Sequence, residues 1–401
     1  MNNKGEVGEK MAKRKQTWEN RVDYSLLLPV FFLLVTGFAS IYVATANDYP
    51  DRLLTVMIQQ GVWVLIGSFM AFVAMFFSTK LLWKLTPVLY LLGLGLMVLP
   101  LVFYSDRLYL VTGAKNWVTV GNVTLFQPSE FMKIAYILML SRLAVVFQRK
   151  ESDPDLRHDW KLLAIYIGIT LPVLALLAMQ KDFGTALVFL AILIGIVVLS
   201  GISWKILLPI FTTLVFFVAV FFALFIWETG RGWLYDLGMP TYQINRISAW
   251  MDPFSYSTSI AYQQTQGMIS IGSGGLSGKG FNVVELSIPV RESDMIFTVI
   301  GENFGFIGSA LVLGTYLWLF YRMLRITFAS NNRFYTYTAV GFIMMILFHV
   351  FENIGAVLGI LPLTGIPLPF ISQGGSALIS NLIGIGLVLS MAYQNHLARE
   401  H

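Results

Sequence analysis

Between Arg246 and Glu302 an otherwise apolar chain gathers Arg246, Asp252, Lys279, Glu285, Arg291, Glu292, Asp294 and Glu302. Interleaved carboxylates and cations can take a proton from a hydroxyl, steady a departing anion, or simply pair with one another. Asp252 and Glu292 are the candidates for proton transfer, and Lys115, Lys181, Arg246 and Arg291 for holding something anionic. The plainer reading of Asp252-Pro253 is an aspartate that caps a turn. Further charges fall where the chain is oily. In FQPSEFMK, Glu130 and Lys133 are three apart, so on a helix they share a face and can neutralise each other. QKDFGTA carries Lys181 and Asp182, and His349, Glu352 and Asn353 follow within one apolar stretch. Charges at hydrocarbon depth are costly and normally face protein or a wet cavity. A buried histidine is more often a satisfied core residue than a ligand, and His349 is read that way.

The elements that must position these residues are membrane helices. The chain has 401 residues, 56% of them hydrophobic and 12% charged, with a mean hydropathy of +0.70. This composition predicts an all-α polytopic membrane protein. Ten spans are expected, at about 24–46, 54–77, 85–104, 125–147, 162–179, 183–199, 206–227, 295–321, 335–363 and 370–393. They leave a polar tail at 1–23, a membrane domain over 24–393 and a short tail at 394–401. Lys80, Lys84, Arg142, Arg149, Lys150, Arg157, Lys161, Lys205, Arg322, Arg325 and Arg333 then share one side with both tails. By the positive-inside rule that side is cytoplasmic, which makes 228–294, between the seventh and eighth spans, a large extracellular loop. The first apolar segment is too long and begins too late for a cleavable signal peptide.

Smaller features refine the outer side. Val and Thr around Gly121-Asn122 predict a hairpin. TSIAYQQTQGMIS has amphipathic helical spacing and is expected to lie along the membrane surface. Pro362, Pro367 and Pro369 exclude helix from Leu361 to Phe370, and such backbone is tolerated at membrane level where protein or a wet cavity surrounds it. Gly374 and Gly375 suit close helix approach. The polar groups therefore converge on a cationic cavity opening outward.

Several chemistries drop out. There is no cysteine, so thiol catalysis and disulfides are excluded. GSGGLSGKG departs from a phosphate loop at Ser273 and Gly280 and follows no strand. No HExxH, paired-histidine or G-x-S-x-G motif occurs. The net charge of +5 lies in short loops, a topology signal rather than a sign of nucleic acid.

GAKNWV, QPSEFMK, QKDFGTA, the W-x-DP of Trp250 to Pro253, IGSGGLSGKG, the block from Glu292 to Gly308, and LPLTGIPLPFISQGGS together resemble the SEDS family (shape, elongation, division and sporulation). The resemblance covers nearly the whole chain in order and is strongest to the family's elongation branch. It implies a peptidoglycan glycosyltransferase that polymerises lipid II on the outer membrane face, working with a class B penicillin-binding protein and other membrane proteins of the elongation machinery. It further implies that Asp252 is the essential acidic residue. Lys115, Lys181, Asp182, Arg246, Arg291, Glu130, Lys133 and Ser372 then belong to substrate, and Glu302, Asn353 and Pro369 to the frame of the cavity. No cofactor is certain; a divalent cation, Mg2+ or Mn2+, rests on family analogy. Gln373, Val290 and Ser293 depart from the family's usual residues, which touches packing around the cavity. The alternatives are a division-branch polymerase, a transporter of the lipid-linked precursor, or a scaffold for a transpeptidase.

Overall fold

The computed structural model describes residues 22–121, 123–147, 156–239 and 241–400. The helices are α1 (Tyr24–Asp48), α2 (Leu53–Ala74), α3 (Thr79–Val102), α4 (Asp106–Thr112), α5 (Pro128–Val146), α6 (Leu156–Gln180), α7 (Phe183–Leu199) and α8 (Trp204–Ile226). They continue as α9 (Glu228–Asp236), α10 (Thr241–Met251), α11 (Tyr262–Ser273), α12 (Ile296–Phe328), α13 (Arg333–Val357) and α14 (Gly375–Glu400). Between α4 and α5, Val118–Val120 pairs antiparallel with Val123–Phe126, the hairpin the Val/Thr pattern predicts.

Eight of the described helices are long and apolar enough to cross a membrane. Large apolar side chains such as Leu65, Leu91, Phe211, Phe217 and Leu311 are exposed on them, as lipid-facing surfaces require. The chain is a multi-pass membrane protein. Two of the ten expected spans are not among these eight. α5 carries Glu130, Lys133 and Arg142, and α7 has 17 residues. Both are nonetheless packed inside the bundle, α5 against α3 and α13 and α7 against α13, so their partners are protein more than lipid.

The tail at 1–23 lies outside the described residues except for Val22 and Asp23. Asp23 caps α1, accepting from the Leu26 N–H, and pairs with Arg322 of α12 at 2.6 Å. At the other end α14 runs through to Glu400, past the expected boundary at 393. The stretch 228–294 is a set of short helices rather than an open loop. α11 turns its polar residues, not its apolar ones, toward protein. It buries Gln264, Thr265, Gly267 and Ser270 against α12 and α13, and Ile269 is exposed.

The glycines of the run after α11 serve a close approach of two backbones. α12 breaks at Gly305, where φ is 62°, and a break leaves main-chain groups without their helical partners. Lys279 and Gly280 donate their N–H groups to the carbonyls of Glu302 and Asn303 at 2.9 and 3.1 Å. Phe306 and Ile307 donate to the carbonyls of Gly275 and Leu276 at 2.9 and 3.1 Å. A methyl group on Gly274 would lie 2.0 Å from the Gly301 carbonyl oxygen, and one on Gly278 would lie 2.1 Å from that of Asn303. Side chains are excluded there because two backbones meet.

Candidate active site

The motifs singled out in the sequence do come together. The Lys115 N–H donates to the Gln180 carbonyl at 2.7 Å, joining GAKNWV to QKDFGTA. Asp182 caps α7 through the Thr185 N–H at 3.1 Å and accepts from Asn116 at 2.8 Å and Gln127 at 3.4 Å. Asp182 is thus spent on holding three segments, and its neighbour Lys181 takes a left-handed φ of 58° to make the turn. Lys115 sits over the Tyr104 ring at 3.9 Å, and Lys181 donates to the Tyr109 hydroxyl at 2.7 Å. That hydrogen bond pulls the Tyr109 hydroxyl below its usual range. The two lysines share one aromatic wall, and the two tyrosines are members of it that residue spacing did not reveal. A methyl group on Gly184 would lie 3.2 Å from Thr364, so this corner abuts the proline-broken link, which is irregular as expected.

Glu130 and Lys133 form a buried ion pair at 2.8 Å. The Lys133 Nζ also lies 3.1 Å from His349 Nε2, and His349 Nδ1 is 2.6 Å from the Met345 carbonyl. Lys133 therefore donates to a neutral imidazole whose other nitrogen carries the proton. The Ser380 hydroxyl donates to the Glu130 carbonyl at 3.0 Å, tying α14 to α5. This triad binds α5, α13 and α14 together.

Arg291, expected to face an anion, is instead fully buried at 0% exposure. It lies 3.3 Å from Asp48 of α1 and 3.6 Å from Glu302 of α12. Glu302 also accepts from Ser270 at 2.8 Å and Lys279 at 3.0 Å, and Lys279 pairs with Glu285 at 2.7 Å. Asp48, on the first helix, is the member of this group that no local signal connects to the rest. Of the four cations expected to hold an anion, Arg291 is therefore committed to buried carboxylates.

Asp252 follows α10 and is exposed, its carboxylate 3.4 Å from the Ser255 N–H. Its flanks are anchored. The Trp250 indole donates to the Gly359 carbonyl at 3.1 Å, and Thr265 donates to that of Pro253 at 3.1 Å. Trp250 also meets Phe222 of α8 edge to face. Arg246, on α10, is exposed and lies within electrostatic reach of Asp294 and Glu352. Ser372 is buried; its hydroxyl donates to the Ser293 carbonyl at 2.6 Å and accepts the Leu368 N–H at 2.8 Å. The Pro369 carbonyl accepts the Tyr316 hydroxyl, and Asn353 donates to the carbonyls of Asp294 and Ile366 at 2.7 and 2.9 Å. Ser372, Pro369 and Asn353 thus fasten the 361–373 link onto α12, α13 and the 291–295 segment. Among the described residues no three His, Asp or Glu side chains lie close enough together to hold a metal ion.

Residues 22–397 match the family described as cell cycle protein, FtsW/RodA/SpoVE. The peptidoglycan glycosyltransferase MrdB of Escherichia coli K12 is 32% identical over 384 residues, covering 94% of this chain and 95% of that one. The peptidoglycan glycosyltransferase RodA of Treponema pallidum is 30% identical, covering 92% of this chain and 97% of its own length. Among solved structures, a peptidoglycan synthase complex described for its coordination of polymerization and crosslinking superposes with a TM-score of 0.74 at 29% identity, covering 93% of this chain and 98% of the other. RodA of Thermus thermophilus superposes with a TM-score of 0.63 at 28% identity, covering 93% and 97%. A correspondence of seven motifs in order, an irregular link where the prolines require it and these full-length likenesses agree: the chain belongs to the FtsW/RodA/SpoVE family.

Proposed function

We propose that this chain is a peptidoglycan glycosyltransferase that joins lipid-linked disaccharide-peptide units into glycan strands during elongation, with Asp252 as general base. The observation that carries the reading is the setting of Asp252: an exposed carboxylate on a segment fastened on both sides, by Trp250 to Gly359 and by Pro253 to Thr265. In this reaction the acceptor 4-hydroxyl gives its proton to Asp252 as its oxygen bonds to the anomeric carbon of the donor. The bond from that carbon to the diphosphate breaks, and the diphosphate leaves with the electron pair. Diphosphate is a good leaving group, so cations to meet its charge matter more than an acid. Lys115 and Lys181 are suited to that task because their ammonium groups lie against one aromatic wall, Tyr104 and Tyr109.

The same reading counts α5 and α7 as spans, which makes ten and puts both termini on the cytoplasmic side with the basic loops. The large segment 228–294 is then extracellular. A crosslinking partner, a class B penicillin-binding protein, is supported by the similarity to a complex that couples polymerization with crosslinking. The test supplies lipid II to the purified chain together with that partner and compares Asp252→Asn. Polymerisation is expected to fall by roughly 10²–10⁴-fold without loss of thermal stability. Equal polymer from both chains would refute the assignment of Asp252, and lipid movement without polymer would replace the polymerase reading with a transporter.

A further inference from the structure

One group of buried acceptors is used neither by that reaction nor by the helix ties. Glu352 is 3% exposed; one of its oxygens accepts the Thr364 hydroxyl, and Oε2 is buried with no hydrogen-bond partner. Asn353, 2% exposed, spends its amide N–H groups on two carbonyls and leaves Oδ1 without a donor. Asp294 Oδ1 and Glu292 Oε2 are in the same condition. These residues form one place. Asn353 binds the Asp294 carbonyl, a methyl group on the exposed Gly365 would lie 3.7 Å from Asp294 Oδ2, and the Gln373 N–H donates to the Glu292 carbonyl at 2.9 Å.

Buried oxygens without donors are expensive, and buried carboxylates more so. Two of these carboxylates, Asp294 and Glu352, face one cation, the exposed Arg246, whereas Glu292 answers to Arg291. Burial pushes Asp294 up to about 6 and raises Glu292 as well. A group that brings several N–H donors and a positive charge would satisfy both deficits at once. Neither a phosphate nor a carboxylate would, since each brings more acceptors.

We propose that Glu352, Asp294 and Asn353 form a subsite for a primary ammonium group, the amine of the peptide carried by the lipid-linked disaccharide. The choice of substrate rests on the polymerase reading above. Arg246, at the rim, sets the entrance charge, and Gly365 leaves the approach open.

The test measures binding of lipid II to the detergent-purified full-length chain, with the peptide amine either free or N-acetylated. It is repeated for Glu352→Gln and Asp294→Asn. The native chain is expected to bind the free amine on the order of tenfold more tightly, and both variants should erase that preference while leaving the acetylated form bound as before. Equal binding of the two forms by the native chain overturns the proposal even if neither variant folds. A subsite for sugar hydroxyls would instead show no effect of acetylation and equal weakening of both forms in the variants, which also overturns it. Failure of the polymerase reading is seen separately, as absence of polymer from either form while the binding preference persists.

Discussion

Arg291 and Glu292 are neighbours in the chain and belong to two buried charge groups built on opposite terms. On the Arg291 side, Asp48, Glu302 and Glu285 alternate with Arg291 and Lys279, and Ser270 adds a hydroxyl donor, so every carboxylate has a cation within 4 Å. On the Glu292 side, Glu292, Asp294 and Glu352 lack such partners and Oε2, Oδ1 and Oε2 remain without donors. The first group joins α1, the Gly-rich run and α12; the second lines the junction of α13 with the 361–373 link. The first group sets cations against its carboxylates, whereas the second is short of both cations and donors and is held together by its surroundings. The same substitution should therefore have different effects in the two places.

The largest effect is expected at Glu302. Glu302→Gln leaves Arg291 and Lys279 without their shared carboxylate and should cost about 3–5 kcal/mol, read as a lower melting temperature of the purified protein or loss from the membrane fraction. Next comes the scaffold on which that group rests. Gly278→Ala meets the Asn303 carbonyl at a φ of 80° and should cost about 3 kcal/mol from overpacking and left-handed strain combined, by the same measurement. In contrast, Glu352→Gln removes an unpaired buried charge while keeping an acceptor for Thr364, and stability should stay within about 1 kcal/mol of the native chain. Equal losses from Glu302→Gln and Glu352→Gln would show that the two groups are alike after all.

The smallest effect is a slope. Asp294 titrates higher in the folded protein, at about 6, than the 3.8 of an ordinary aspartate, so the folded state holds its proton more tightly than the unfolded chain does. The stability this provides is complete below 3.8 and is lost as pH rises through about 6. Asp294→Asn should flatten melting temperature against pH across that window. An unchanged slope would place the carboxyl in a wetter setting than its burial implies.

Much of the architecture was legible from local pattern. Hydropathy over about 20 residues places the long helices, because each span must satisfy lipid along its own length. Three prolines forbid helix at 361–370, and the hairpin follows from Val and Thr flanking Gly121. The same locality explains the failures. The polar positions of TSIAYQQTQGMIS read as a wetted face, yet Ser270 and Gln264 are drawn inward by Glu302 and the Ala356 carbonyl. The Gly-rich run mimics a ligand loop because small residues serve equally where backbone meets phosphate and where it meets backbone.

By itself the sequence determined the helical class, the grouping of charged motifs, and Asp252 on its short polar segment. Only the tertiary structure decided which charges are spent. Arg291 and Lys133 carry the same label as Lys115 and Lys181 in a sequence, but Asp48, Glu302, Glu130 and His349 enclose the first two, whereas the others lie against the rings of Tyr104 and Tyr109. The reason is physical: a charge's availability depends on the partners brought within a few ångströms by helices remote in the chain, and residue type and spacing carry no record of those partners.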